Sequence, residues 1–174
     1  MKRILIIGGN GSGKTTMAKR LSVKLGLPLI HLDKLYWKDD WQHVSRDELA
    51  QVLQPELEKP QWIIDGNMKH SLSYRLGYCD TVIYLDFPSI VCAFGAIKRI
   101  VKSHNKSRSD MGGNCVEKFD SRSFHFIKSI FFFNKRNRKD FYRLIDQAGD
   151  IKLIVLKSHK QVNDFFDSIE EGYD

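Results

Sequence analysis

Cysteine is scarce in this chain: Cys79, Cys92 and Cys115 are the three among 174 residues. An odd number without a C-x-x-C spacing excludes a disulfide framework and a zinc knuckle. All three are expected to be reduced, with Cys79 and Cys92 in or near the core. Proline is as sparse, with four residues that do not cluster, and 42% hydrophobic with 28% charged content excludes a disordered or low-complexity chain. No apolar run approaches the roughly 18 residues that span a bilayer, and even Ile127 to Phe133 is interrupted by Lys128 and Ser129. The opening apolar stretch stops at Ile7, too short for a signal peptide and without a small-residue cleavage site, so a cytoplasmic protein with no membrane partner is expected. No internal repeat is visible, and the length suits a single domain over residues 1–174 around one core.

Charge is present in excess of one sign, and unevenly. Between Ala96 and Arg143 there are thirteen Lys/Arg against four Asp/Glu, while the rest of the chain is nearly balanced. Such a segment is a solvated helical face, a cationic cover over phosphates, or a nucleic-acid patch.

Periodicity and punctuation give the elements. Lys2 to Ile7 reads as a buried strand, Gly8 to Gly13 breaks it, and a helix runs from Lys14 to about Leu25, with Gly26 as its cap and Pro28 beyond. Leu29 to Leu32 reads as a strand ending at Asp33. A helix over Ser45 to Glu58 carries a Ser45/Glu48 capping box. Further strands are expected at Trp62 to Ile64, Thr81 to Leu85 and Ile151 to Leu156, with helices over Ser89 to Ser103, Asp120 to Ala148 and Val162 to Ile169. Short apolar strands alternating with helices predict a three-layer α/β/α fold with a five-stranded parallel sheet.

Gly8-Gly9-Asn10-Gly11-Ser12-Gly13-Lys14-Thr15 matches G-x-x-x-x-G-K-[ST] between a strand and a helix, the context that makes it a phosphate-binding loop. Glycine lets backbone N–H groups close on phosphate, and the positive end of the helix favours the same anion. Lys14 is then the cation for the β- and γ-phosphates of ATP, Thr15 the hydroxyl for Mg²⁺, and Thr16 a contact to the α-phosphate. Ligands of open α/β sheets bind beyond the carboxyl ends of the strands. Asp65 is accordingly the metal-side carboxylate and Asp33 the one nearer a phosphate acceptor, with Asp86 a third candidate; each competes with a plain role as cap or turn former.

Trp37 and Trp41, with Tyr36, either wall an acceptor pocket or pack in the core. His31 reads as a hydrogen-bonded core residue rather than a metal ligand. Arg99, Arg108, Arg122, Arg136 and Arg138 suit phosphoryl oxygens, or are surface charges.

The phosphate loop, Asp33, Trp62 to Asn67 and Leu85-Asp86-Phe87-Pro88 together resemble the adenylate-kinase-like nucleoside monophosphate kinases. His31-Leu32-Asp33 with Trp37 and Trp41, Trp62 to Asn67, Arg75, Ser107 to Met111 and Cys115-Val116-Glu117 resemble, more narrowly, the DNA topology modulation (FlaR-type) ATPases. The resemblance implies a P-loop kinase core using ATP and Mg²⁺ and a helical basic lid, about residues 99–140, around Arg99 and Arg108. It departs from the superfamily at Gly95, where an adenine-stacking arginine is usual, and from the narrower family at Ser109 and Val116, where its lid has prolines. Two functions follow as expectations. One is a small-molecule kinase with its acceptor between Asp33, Trp37, Trp41 and Arg75, and with Lys14, Arg99, Arg108 and Arg138 at the transferring phosphate, acting as monomer or homodimer. The other is a nucleotide-dependent DNA-binding regulator using the basic segment on phosphate backbones, although no reader motif is evident.

Overall fold

The computed structural model describes residues 1–104, 110–116 and 121–170, the side chains at 121–123, 134, 135 and 170 excepted. Five strands, β1 (Arg3–Gly8), β2 (Leu29–His31), β3 (Trp62–Asp65), β4 (Thr81–Leu85) and β5 (Lys152–Leu156), form one sheet in the order β2-β3-β1-β4-β5. Every neighbouring pair is parallel. The described helices are α1 (Lys14–Leu25), α2 (Leu32–Tyr36), α3 (Arg46–Leu57), α4 (Lys69–Leu76), α5 (Ser89–Lys102), α6 (Ser121–Gln147) and α7 (His159–Glu170).

Alternation along β1 explains the three layers. Ile4 and Ile6 face one side and join residues of α1, α5 and α7, among them Met17, Leu21, Ala96 and Phe166. Leu5 and Ile7 face the other and join Leu49, Leu53 and Leu57 of α3, Leu72 and Leu76 of α4, and Phe141 of α6. A sheet covered on both faces needs continuous apolar strands, and β1, β3 and β4 are buried almost throughout. β1 lies at the reversal of strand order: the chain leaves it for β2 and β3 on one side, then crosses to β4 and β5 on the other. In open α/β sheets, ligands bind beyond the carboxyl ends of the strands at such a reversal.

Local signals behave as their chemistry demands. Gly26 caps α1 in the left-handed region at φ 64°, its N–H on Ser22 O. The capping box of α3 is complete, Glu48 N–H donating to Ser45 Oγ at 3.1 Å and Ser45 N–H to Glu48 Oε2 at 2.7 Å.

Two parts differ from the sequence expectation. β2 stops at His31 and is half-buried, because it is an edge strand; Leu32 opens α2, so Asp33 sits in a first helical turn rather than at a strand end. The turn forms because Leu32 packs on Gly66, where an added Cβ would come 2.7 Å from Leu32 Cβ, and the Trp37 N–H closes on Asp33 O at 3.1 Å. The second is α4, which the sequence did not announce; it buries Leu72, Leu76 and Arg75. Among the described residues no helix is long and apolar enough to cross a membrane.

Candidate functional site

The phosphate loop leaves β1 at Gly8 and enters α1 at Lys14. Gly11 and Gly13 hold φ of 86° and 90°, a conformation other residues rarely adopt. Gly11 also backs directly onto α5: a Cβ there would lie 2.0 Å from Cys92 O, and one at Gly95 would lie 2.1 Å from Gly11 O. Two facing glycines thus let a helix backbone touch the loop, and this close approach is the physical reason Gly95 can carry no arginine.

Lys14 Nζ donates to Gly8 O at 3.0 Å and Gly9 O at 3.1 Å. Burial pushes its pKa below the ordinary lysine value, while Asp33 and Asp65 pull the other way. Thr15 Oγ1 donates to Asp65 Oδ2 at 2.8 Å and stands 3.4 Å from Asp110 Oδ2. The other carboxylate oxygen of Asp65 is 2.6 Å from His31 Nδ1. A hydroxyl beside a carboxylate is a hard oxygen donor set that suits magnesium. Among the described residues no group of three or more His, Cys, Asp or Glu gathers to hold a metal.

Gly9, Asn10 and Ser12 complete the loop; Ser12 N–H donates to Gly9 O at 3.1 Å, and the Ser12 side chain is buried. Thr16 is exposed at the start of α1.

The solved structure of shikimate kinase from Bacteroides thetaiotaomicron superposes with a TM-score of 0.55, covering 98% of this chain and 96% of that one at 16% identity. The chain shares that fold, a three-layer α/β/α arrangement around a five-stranded parallel sheet. No protein-family model and no curated protein matches the chain.

In this fold a further part of the site is built on Asn67 and Arg75. Asn67 clasps the first loop residue, Gly8 N–H donating to its Oδ1 at 3.0 Å and its Nδ2 donating to Gly8 O at 2.7 Å. Arg75 is fully buried. Its guanidinium donates to Gly66 O at 3.1 Å, to Asn67 O at 2.5 Å, to Met68 O at 3.2 Å and to Ser71 Oγ at 3.2 Å. Burial lowers its pKa to about 10. The structure thus brings Arg75 to the site as a support: it fixes the loop after β3, whose Asn67 fixes the phosphate loop.

Asp33 stands close enough to Lys14 and Arg75 to act on both electrostatically. Trp37 is half-buried and meets Trp41 edge-on at 5.7 Å, and Tyr36 stacks on His43 at 5.0 Å. Residues 110–116 lie across this aromatic stretch. Asn114 N–H donates to Asp39 Oδ1 at 2.6 Å, Trp41 Nε1–H to Val116 O at 3.3 Å, and a Cβ at Gly112 would fall 2.0 Å from Trp37 O. The same segment places Asp110 at Thr15 and buries Cys115, so the third cysteine joins Cys79 and Cys92 in the interior.

The arginines divide. Arg99, half-buried in α5, lies over the Phe126 ring at 5.4 Å and is near enough to Lys14 to lower its pKa. Arg138 reaches from α6 to Asp86, 2.7 Å from its Oδ2, and that buried carboxylate raises the arginine's pKa. Arg136 is exposed beside Phe132. Arg108 and the side chain of Arg122 lie outside the described residues.

Two contributors escaped the sequence reading. His31 is hydrogen-bonded as expected, but its partner is the site carboxylate Asp65, 34 positions away. Asn67 offered one signal, a side-chain amide directly after Asp65-Gly66 at a strand end.

Proposed function

We propose that this chain is an ATP-dependent phosphotransferase, passing the γ-phosphoryl group of ATP to a hydroxyl of a small acceptor: a nucleotide, a nucleoside or a metabolite. The observation that carries the reading is the meeting of Lys14, the left-handed glycines and the Thr15–Asp65 pair at the end of β1. Gly9 to Gly13 wrap the triphosphate with backbone N–H groups, and Thr16 meets the α-phosphate. Lys14, partly desolvated and resting on two carbonyl oxygens, exchanges them for β- and γ-phosphate oxygens, a stronger charge-assisted contact. Thr15 and Asp65 hold Mg²⁺, which when bound neutralises charge across the β- and γ-phosphates.

Asp33 faces the acceptor and orients or deprotonates its hydroxyl. Trp37 and Trp41 form the acceptor wall, and Arg75 serves the acceptor side through the loop it fixes. Segment 110–116 belongs to a lid that brings Arg99, Arg108 and Arg138 to the transferring group, where positioned cations stabilise spreading negative charge and exclude water.

The test is acceptor-dependent ADP release with ATP and Mg²⁺ over a panel of nucleotides, nucleosides and small hydroxylated metabolites, shikimate included. At least one acceptor is expected to accelerate release, and Lys14→Ala should bind nucleotide about 10–100-fold more weakly, the worth of a charge-assisted contact. ATP bound in full, with no acceptor raising the rate, would sink the reading.

A further inference from the structure

β2 and β3 pair so that His31 and Asp65 are register partners. Asp65 is buried, and both of its carboxylate oxygens are engaged: one accepts from Thr15 Oγ1 at 2.8 Å, the other faces His31 Nδ1 at 2.6 Å. A carboxylate accepts only, so the ring nitrogen that faces it carries a hydrogen. Rotation about the bond to a carboxylate is soft and roughly two-fold. A donor locked on one oxygen therefore decides where the other points. His31 is itself held, 14% exposed, at the end of a paired strand, which makes it a fixed reference for that orientation.

We infer that His31 is the positioning residue of the metal corner: by fixing Asp65 Oδ1 it aims Oδ2 at Thr15, and so sets how strongly magnesium strengthens nucleotide binding. This rests on the nucleotide-binding reading given above. It assigns His31 no contact with nucleotide or acceptor. Outer partners that orient a metal-side group are typically worth about 10–100-fold in metal affinity.

The experiment is calorimetric titration of a non-hydrolysable ATP analogue, with Mg²⁺ and again with a chelator, into the native chain, His31→Leu and His31→Asn, each checked by thermal unfolding. Native protein should show a magnesium-dependent gain in affinity. His31→Leu should lose about 10–100-fold of that gain while its chelator-side affinity stays at the native value. His31→Asn, whose amide N–H takes the place of Nδ1–H, should recover most of it and keeps the proposal testable if the leucine variant folds poorly. Three results overturn the inference: a native-like magnesium gain in His31→Leu, equal losses in both variants, or a parallel fall in chelator-side affinity. Native protein that binds no nucleotide at all overturns the functional reading too, and is distinguished by appearing before any substitution is made.

Discussion

Replacing Gly95 by alanine sets two effects of opposite sign against each other. Glycine inside a helix costs about 1 kcal/mol relative to alanine, so helix propensity alone makes the variant more stable. The new methyl, however, would arrive 2.1 Å from Gly11 O, a distance that has to open by about 0.9 Å to reach the 3.0 Å floor of real Cβ contacts. Both partners are backbone, one in α5 and one in the phosphate loop, so neither rotates away. Forced overpacking of this kind costs about 1–3 kcal/mol, and two rigid partners place it in the upper half of that range. The net is a loss of about 1–2 kcal/mol, which for a chain of this size lowers Tm by roughly 2–8 °C. Because the displaced oxygen belongs to the loop, affinity for an ATP analogue falls with it. Scanning calorimetry and nucleotide titration read both, with Gly77→Ala as the comparison. A Cβ at Gly77 would sit 3.5 Å from Tyr74 O, an ordinary contact, and φ there is −64°, so that variant should be neutral or gain up to about 1 kcal/mol. Gly95→Ala melting at or above the parent with unchanged nucleotide affinity would refute the packing argument.

Two further outcomes are expected. Arg75→Lys should lower Tm and loosen nucleotide binding almost as much as Arg75→Met, because one ammonium cannot serve the oxygens of Gly66, Asn67 and Met68 together; each buried acceptor left bare costs about 1–3 kcal/mol. If lysine restores both, the supporting role is wrong. Burial pushes the Cys79 thiol up to about 12, so iodoacetamide at pH 8 should label it only on unfolding. For an acid whose folded pKa is raised above the usual value of 9.0, the folded state loses stability as pH climbs from about 9 towards 12. Fast labelling of native protein at Cys79 would contradict this burial.

What the sequence revealed was whatever is encoded within a few residues. The glycine-rich turn between β1 and α1, α1 with its Gly26 cap and the capping box of α3 each depend on neighbours in the chain, and all three stand where spacing put them. α2 was hidden because Leu32 continues the apolar run of β2, and a buried residue looks alike in either element. α4 was hidden because eight residues give barely two turns of period. Arg75 shows the limit most clearly. An arginine suggests an anion to bind, and only the fold shows a guanidinium turned inward onto carbonyl oxygens of residues 66–68. The His31–Asp65 contact likewise depends on strand register, which single-sequence periodicity does not carry.

The long helix α6 buries Ile130 among the residues on one face of the sheet and Phe141 with Ile145 among those on the other. Eleven residues of helix make a rod of about 16 Å between those anchorages. A rod held at two points ties them together, so one element braces both faces of the sheet and a tilt of it would be felt in each.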